Sequence, residues 1–548
     1  MRSFSKNLAV LLAASLAGCA NPAAHPPPSL ARFHFPTGLA VDVPYALGQD
    51  AGTRARWLYV AGNSNFDLAA NRGVLMAIDL DRYGAPETGL VPPPLAADAG
   101  WDGTALALPD VADAGSMDPS VGWVYTDSLA GELQLADTSA GGKRIVLATR
   151  EENRLGFIDA DGGALSCFGA SGQDCLNDTS SPALDVPGPT GANQVLDVFA
   201  VSPPVRAIIP DGGFAGPEVF VGHLRDETTG LFAQFGYGAG GYGGGYGGYG
   251  YGGYGSGYSP YGLAPPVVMA QSYVIRQSVD DPSCRLAEPI GQTPAAGVVA
   301  LPGPSGLYAV YTGRAQGMAP ASVDYLPLGP PNCGVPAGAE VPVDAVPPSP
   351  VVIDLSNISK EYDARGIALS THGDRIFAIS QSPDSVVVLR IDGKGPGSLN
   401  LHPSNIVAVP PGPSELLPLP RVGPNGQPIG DLVAVTCPLA DVVAFYDDEV
   451  ESLTAALPVG DEPFALASAP RTLGTGASAQ TLPGIRIFVT AFGSGQIDVI
   501  DLPDPLDASS ARLVATLGSF EDTTASPINP NSMLLSLPYG YGAMPGGI

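Results

Sequence analysis

The sequence predicts an all-β protein, and three features support that prediction. Glycine (71 residues) and proline (57) together reach about twice their average share in proteins, which favours turns over helices. Short apolar runs rich in Val and Ile, separated by turn-forming residues, are typical of β-strands. No amphipathic pattern of helical length follows the N-terminal segment. Because 45% of the 548 residues are hydrophobic, such strands can bury a large core.

The clearest strand pattern lies between Arg365 and Gly393. It contains three apolar runs, Gly366–Leu369, Ile376–Ile379 and Val386–Ile391, which are joined by residues that favour turns. These runs predict a meander of antiparallel strands. A single meander cannot bury both of its faces, so the chain has to repeat it.

Hairpins of the same design recur along the chain. A strand with the pattern Pro-x-Gly-hydrophobic-Ala precedes the hairpin, and a fourth strand follows it once clearly, at Arg512–Leu517. The closing strand stops at or beside an aspartate, which we interpret as a turn residue that accepts backbone N–H bonds, not as part of a ligand ring. These aspartates are Asp79, Asp159, Asp354, Asp447 and Asp501.

Repeated four-stranded antiparallel units pack face to face around an axis as the blades of a β-propeller. We therefore predict a single β-propeller over residues 33–520, with four-stranded antiparallel blades and long Pro/Gly-rich loops. Seven blades is the best count, and six or eight remain open. Four good units start near Pro36, Ser120, Arg365 and Pro463, and three poorer ones near Asn193, Ala296 and Asn405.

Long connections account for the large span of each unit, and loops on a rigid scaffold commonly carry function. The insertion Gly236–Gly262 consists mainly of Gly and regularly spaced Tyr. It is either a contact surface acting through ring stacking and phenol hydrogen bonds or a low-complexity expansion at a loop tip. Residues 521–548 form a Pro/Gly-rich tail. The predicted connections are Gly84–Asp118, Asp161–Pro189, Arg225–Pro265, Gln277–Ala295, Gly303–Pro348, Pro411–Gly430 and Arg471–Pro483.

The N-terminus has the features of an export signal. Residues 1–18 combine positive charge with an apolar run, Leu8–Leu16, that is too short to span a bilayer. The run ends in Leu16-Ala17-Gly18-Cys19, which resembles the lipobox of bacterial lipoproteins. This resemblance implies that Cys19 becomes the acylated first residue of the mature protein. Residues 19–32 contain three consecutive prolines and predict a stiff tether.

The lipoprotein resemblance also implies a location. In that family the residue after the cysteine influences sorting, and Ala20 is not the aspartate that retains such proteins at the inner membrane. We therefore expect a lipid-anchored protein of the bacterial cell envelope, at the outer membrane. The formal charge of −28 disfavours nucleic-acid binding. The expected partners are the membrane, through the lipid anchor, and envelope proteins or polymers.

Five cysteines follow the lipobox, and disulfides persist in exported proteins. Cys167 and Cys175 flank a short Gly-containing segment and could close a small loop. Cys284 and Cys333 lie in Pro-rich connections and could link two of them. Cys437 follows an apolar strand and is interpreted as a buried free thiol. The spacing of the cysteines does not match the close pairs of zinc ribbons.

The repeated units resemble the blades of YVTN-type β-propellers, close to NHL and lactonase-like propellers. Tyr59-Val60-Ala61-Gly62-Asn63 stands where that family has its signature, and Phe488-Val489-Thr490-Ala491 and Phe377-Ala378-Ile379-Ser380 are looser copies. The pattern covers the chain patchily from about Phe33 to Phe520. Enzymes on related propellers use central carboxylates around a divalent metal, or His and Glu as acid and base.

No catalytic motif is evident in the sequence. His34, His223, His372 and His402 show no metal-binding spacing, and His372 is expected to be exposed in a turn. There is no Gly-x-Ser-x-Gly elbow on a strand-to-helix turn and no haem attachment motif, and no P-loop or Rossmann fingerprint lies in a βαβ context. We therefore assign no catalytic residue, cofactor or metal ligand.

The absence of such motifs favours a binding or scaffolding protein. The alternative is a lactonase- or lyase-like enzyme with a central divalent metal. Three or more carboxylates or histidines in one pore mouth would favour the enzyme. A pore lined by backbone, Val and Ala would favour the binding protein.

Overall fold

The structure is a computed structural model of the chain. Residues 1–32, 229–271 and 518–548 lie outside the residues that it describes, so the signal peptide, Cys19, the tether, Gly236–Gly262 and the C-terminal tail remain predictions. The described residues are 33, 35–48, 53–62, 73–82, 105–106, 122–127, 130–149, 154–169, 174–175, 182, 184–187, 193–206, 216–228, 272–291, 295–303, 306–313, 322–336, 339–343, 350–355, 364–381, 383–392, 399–473 and 480–517.

Seven antiparallel sheets form a ring, so the protein is a seven-bladed β-propeller, as predicted. The four main strands of each blade come from one continuous stretch of chain and run from the innermost strand outwards. Among the described residues, helical structure is limited to three single-turn 3-10 helices, none of which could cross a membrane. They are Leu80–Arg82, Pro438–Ala440 and Ala508–Ser510.

The first three blades contain the most irregular connections. Blade 1 comprises β1 (Pro36–Val41), β2 (Trp57–Gly62), β3 (Gly73–Asp79) and β5 (Trp123–Thr126), while β4 (Ala105–Leu106) lies between its last two strands in sequence. Blade 2 comprises β6 (Ala130–Asp137), β7 (Lys143–Thr149), β8 (Arg154–Asp161) and β9 (Ala164–Cys167). Blade 3 comprises β10 (Val186–Pro187), β11 (Asn193–Val201), β12 (Val205–Arg206), β13 (Pro217–Thr228), β14 (Ser272–Ser278) and β15 (Arg285–Gly291).

Blades 4, 5 and 6 are regular four-stranded meanders, and blade 7 has the same four strands with β4 added as a fifth at its outer edge. Blade 4 comprises β16 (Ala295–Gly303), β17 (Gly306–Gly313), β18 (Ser322–Pro327) and β19 (Val351–Asp354). Blade 5 comprises β20 (Ala364–Leu369), β21 (Arg375–Gln381), β22 (Asp384–Asp392) and β23 (Asn400–Ala408). Blade 6 comprises β24 (Leu416–Val422), β25 (Pro428–Cys437), β26 (Val442–Asp447) and β27 (Ser452–Pro458). Blade 7 comprises β28 (Pro463–Leu473), β29 (Gln480–Ala491), β30 (Gln496–Leu502) and β31 (Arg512–Leu517).

Several predicted boundaries were wrong. Blade 2 begins at Ala130, because the residues after Ser120 form the last strand of blade 1. Blade 6 begins at Leu416, because Asn405 lies inside the last strand of blade 5. Five segments predicted as connections contain strands: Gly84–Asp118 contains β4, Asp161–Pro189 contains β9 and β10, Gln277–Ala295 contains β15, Gly303–Pro348 contains β17 and β18, and Pro411–Gly430 contains β24.

The core lies between the faces of neighbouring blades. The two middle strands of each blade are the most buried, and every residue of β2 is buried. Phe377 of blade 5 and Tyr446 of blade 6 show how adjacent faces meet, with ring centroids 6.1 Å apart. Fully burying one such side chain contributes about 1.5–3 kcal/mol, so the blades stabilise one another face to face.

The alternating strand directions give the ring two distinct faces. We define the upper face as the one at which the innermost strand of each blade begins and the lower face as the opposite one. In an antiparallel meander, the connections between blades and between the second and third strands then lie on the upper face. The connection 229–271 between β13 and β14, which includes Gly236–Gly262, therefore leaves the ring through the upper face.

Candidate functional site: the axial channel and the lower rim

β-Bulges mark the innermost strands close to the upper face. In five blades the register between the first two strands shifts near the start of the innermost strand, as between Ala130 and Leu133, and in blade 3 it shifts further along β11, up to Val201. A bulge leaves residues unpaired and redirects their side chains. The Pro-x-Gly pattern of the repeats falls at this point. A Cβ at Gly131 would lie 2.6 Å from the carbonyl oxygen of Phe199, so blades 2 and 3 approach too closely there for a side chain.

Two phenylalanines from these bulges meet across the axis of the ring. The rings of Phe199 in blade 3 and Phe464 in blade 7 lie edge to face, with centroids 6.1 Å apart. Blades 3 and 7 are not neighbours in the ring, so the contact spans the central channel. Both residues are buried, at 1% and 4% exposure. Aromatic side chains therefore occupy the channel at this level.

Two glutamates also face each other across the channel. Glu132 of blade 2 accepts a hydrogen bond from the backbone N–H of Val201 at 2.9 Å. Glu415, which precedes β24 in blade 6, accepts one from the N–H of Leu466. Each carboxyl group thus binds the innermost strand of the next blade.

Burial and mutual repulsion alter the acidity of this pair. Burial raises the pKa of Glu132 to about 7, although the Val201 N–H opposes that shift. Burial and the charge of Glu132 raise the pKa of Glu415 well above its ordinary value. Around neutral pH the pair therefore holds protons that an exposed glutamate would have lost. Its two protonation steps belong to the pair and not to either residue alone.

A backbone contact joins the innermost strands of blades 1 and 2. Thr37 donates its hydroxyl hydrogen to the carbonyl oxygen of Ala130 at 2.8 Å. The side chain of Arg365, on the innermost strand of blade 5, lies outside the described residues. In the described part of the chain, no group of three or more His, Cys, Asp or Glu residues could hold a metal ion. The described channel therefore combines an aromatic pair with two carboxyl groups.

Four of the five repeated aspartates, Asp79, Asp159, Asp447 and Asp501, lie at the lower face, at or beside the end of a third strand. Asp79 accepts the N–H of Asp81 at 3.0 Å, and Asp447 accepts the N–H of Glu449 at 2.9 Å. Asp354 differs from the other four, because it ends the fourth strand of blade 4 and not the third.

Arginine partners of these aspartates were missed by the sequence analysis. Arg144 contacts Asp159 at 2.7 Å, and Arg421 makes two bonds of 2.7 Å to Asp447. Asp501 accepts from Arg486 and from Arg471, each at 2.8 Å. The sequence did carry a signal, because an arginine immediately precedes or opens the second-strand apolar run in four blades: Arg56-Trp57, Arg144-Ile145, Arg375-Ile376 and Arg486-Ile487.

The cysteines are placed in two pairs and one single thiol. Cys167 and Cys175 form a disulfide with a Cα–Cα distance of 5.1 Å, and Cys284 and Cys333 form another. The second disulfide lies where the segment after β18 folds back onto the outer edge of blade 3. Cys437 is buried and unpaired.

The histidines do not converge on one site. His223 is buried and accepts the N–H of Tyr273 at 3.0 Å. His372 lies in a turn on the lower face, with its side chain 28% exposed, 3.6 Å from Asp431. His402 lies 3.2 Å from Asp392. His34 lies outside the described residues.

No family model and no curated protein matches the chain. Solved structures with a similar fold include a candidate 6-phosphogluconolactonase of Bacteroides uniformis, at 14% identity and a TM-score of 0.39, covering 78% of this chain and 86% of that one. Hydrazine synthase of Kuenenia stuttgartiensis matches at 10% identity and a TM-score of 0.41, covering 88% and 99%. The periplasmic gluconolactonase PpgL of Pseudomonas aeruginosa matches at 13% identity and a TM-score of 0.29, covering 72% of this chain and 96% of that one. At these values the similarity assigns no activity to this chain.

We predict that Asp501→Asn destabilises the protein strongly near neutral pH. Burial disfavours the charged form of Asp501, but Arg486 and Arg471 outweigh it and lower the pKa. Removing the charge leaves buried arginines uncompensated, which typically costs about 3–5 kcal/mol. Urea unfolding at pH 7 measures the loss. Because the folded pKa is lowered, the wild-type advantage should shrink as pH falls through it.

Asp137→Asn is the matched control. Asp137 also pairs with a cation, Lys143 at 3.0 Å, but its side chain is 65% exposed. Exposed pairs contribute about 0–1 kcal/mol, so this variant should unfold close to the wild type. Equal losses in the two variants would contradict a structural role for the buried pair.

We predict that Glu132→Gln reduces the pH dependence of the free energy of unfolding. The pKa of Glu132 rises from an ordinary 4.5 to about 7 on folding, so its contribution is complete below 4.5 and is lost as pH rises through 7. The amide can still accept the Val201 N–H but cannot ionise. The wild type should therefore lose stability relative to the variant between pH 5 and pH 8, as measured by urea unfolding. The exposed Glu449→Gln serves as the control, and parallel curves for the wild type and Glu132→Gln would contradict the assignment.

Proposed function

We propose that the protein is a lipid-anchored β-propeller of the bacterial cell envelope that binds or scaffolds other envelope components. The observation that carries the binding role is the contact of Phe199 with Phe464, which fills the channel with side chains. A ring whose centre is filled offers its rims and connections for recognition instead. The lipobox at Cys19 supports the anchor.

Ordered connections on the rim support the scaffolding role. Residues 328–336 and 339–343 pack along the outer strand of blade 3, where Arg285 donates to the carbonyl oxygens of Pro336 and Ala339, both at 2.9 Å. Gly329 donates its N–H to Glu288 at 3.1 Å. A long connection held by buried hydrogen bonds presents a fixed surface, as recognition requires.

The alternative, a lactonase- or lyase-like enzyme with a central divalent metal, finds less support in the channel. Hard divalent cations require about six oxygen ligands, of which two or more are commonly carboxylates. The channel supplies Glu132 and Glu415, and each already accepts a backbone N–H. The described donor set does not fit such an ion, so we assign no reaction to the channel.

Replacing the lipidation site tests the anchor. We expect Cys19→Ser to move the protein from the membrane fraction to the soluble fraction, because the serine hydroxyl cannot form the thioether. Cys437→Ala, which changes the buried free thiol, should remain in the membrane fraction. Immunoblotting of separated fractions is the measurement, and unchanged fractionation of Cys19→Ser would refute the anchor.

Crosslinking in intact envelopes tests the binding role. Full-length protein should form specific crosslinked species with envelope proteins or polymers, and mass spectrometry identifies them. Comparison with a variant lacking Gly236–Gly262 shows whether that insertion contributes. Only self-crosslinks or none in the full-length protein would count against a binding function.

A further inference from the structure

A small cavity lies between blades 1 and 7, towards the lower face. Blade 7 forms one wall, in which Ala469, Phe488 and Val499 come from three adjacent strands. Blade 1 forms the other wall through Ala55, just before β2, and Leu80, just after β3. The free volume is about 20 Å³ on a scale where one water molecule requires about 10–15 Å³. The cavity therefore has room for one or two water-sized groups against a mostly apolar wall.

Two guanidinium groups and one carboxylate also line this cavity. Arg54 binds Asp81 through both of its Nη atoms, with Nη2 2.8 Å from Oδ2. Arg486 is only 8% exposed and binds Asp501 through Nε at 2.8 Å and Nη2 at 3.1 Å. Its Nη1 makes no hydrogen bond with any described residue. A buried arginine that lines open space with a donor unused points to an acceptor bound there.

The charge beside the cavity is positive. Arg471 donates to Oδ2 of Asp501 at 2.8 Å, so two guanidinium groups share one carboxylate. The neighbouring Arg54–Asp81 pair is neutral by itself. One positive charge at Arg486 and Arg471 is therefore left over after pairing. The formal charge of −28 on the whole chain disfavours anions elsewhere on the surface, so an anion is drawn to this position by local charge.

We propose that the cavity binds a small organic acid, with Nη1 of Arg486 donating to its carboxylate and its short alkyl group packed against Phe488 and Leu80. A guanidinium group suits this ligand, because its planar donors match the planar oxygens of a carboxylate. The small volume restricts the alkyl part to one or two carbon atoms. The ligand would contact both walls and so stabilise the packing of blade 1 on blade 7.

Propionate is the probe, because its ethyl group matches the space and its carboxylate can reach the arginine. Propionamide has nearly the same shape but no charge, so it measures the contribution of apolar packing alone. Isothermal titration calorimetry of the full-length protein at pH 7, in a buffer without chloride or carboxylates, gives both affinities. We expect a Kd of about 1 mM for propionate and binding at least about tenfold weaker for propionamide.

Two variants alter different parts of the site. Arg486→Gln removes the charge and should weaken propionate binding by about tenfold or more. Ala469→Val fills part of the cavity with a larger side chain, leaves every charge in place and should weaken binding to a similar extent. Arg144→Gln is the matched control, because Arg144 is 7% exposed and binds Asp159 at the lower face of blade 2 without lining the cavity. This variant should bind propionate like the wild type.

Circular dichroism checks that each variant is folded, and Ala469→Val decides the question if Arg486→Gln is not. No saturable binding of propionate to the wild type at up to about 50 mM would overturn the proposal. Equal affinity for propionamide, or unchanged affinity in Ala469→Val, would overturn it as well. These results are independent of the lipid anchor and of the scaffolding role, which membrane fractionation and crosslinking test separately.

Discussion

The ring depends on the packing between its first and last blades. The four main strands of every blade come from one stretch of chain, so blades 1 and 7 share no inner strand that would hold them together. Apolar side chains meet there instead, with Phe35 against Phe492, and the N–H of Tyr45 donates to the carbonyl oxygen of Ser468 at 3.0 Å. At the outer edge, β4 from a connection of blade 1 pairs in parallel with β31. The ring is thus closed by apolar packing between the inner parts of blades 1 and 7 and by a short parallel strand pairing at their outer edge.

The packing between blades 1 and 7 also links the fold to the proposed anchor. Phe33 and Phe35 are the last residues before β1, so the contacts that close the ring also hold the start of the tether against blade 7. A force applied through the proposed lipid anchor would therefore act directly on the packing between blades 1 and 7. The channel contributes in a different way, since Glu132 and Glu415 connect blade 2 to blade 3 and blade 6 to blade 7 through backbone N–H groups. Those bonds satisfy backbone N–H groups on the inner edges of blades 3 and 7, where no neighbouring strand can pair with them.

The strand pattern was predictable where the sequence alternates cleanly between apolar runs and turns. The three runs around Ile376 became β20, β21 and β22, and the ring followed from their repetition. β24 was not predicted as a strand, because Pro418 and Pro420 indicated a connection there. These prolines are two residues apart, so both nitrogens face the same side of the strand. An innermost strand has one unpaired edge, where a missing N–H costs no ladder bond.

The contents of the channel could not be predicted from the sequence. A single glutamate such as Glu132 or Glu415 carries no local signal, and the two are separated by more than half of the chain. Only closure of the ring brings them face to face, and the same holds for Phe199 and Phe464. Three of the arginine–aspartate pairs are different, because in blades 1, 2 and 7 an arginine at the start of the second-strand run contacts the aspartate near the end of the third strand. Alignment of the repeats on that arginine would have revealed these pairs, but not the bonds from Arg421 and Arg471, which lie on first strands.

The packing that closes the ring between blades 1 and 7 is tested most directly by hydrogen–deuterium exchange, compared between the full-length wild type and the Phe35→Ala variant. Phe35 is 7% exposed and its removal creates a cavity at the boundary of blades 1 and 7. The account predicts faster exchange in β1 and in β28 together, although they lie at opposite ends of the chain, with β20 and β24 unchanged. Faster exchange confined to β1 and its neighbours in sequence would contradict a ring that closes through this packing.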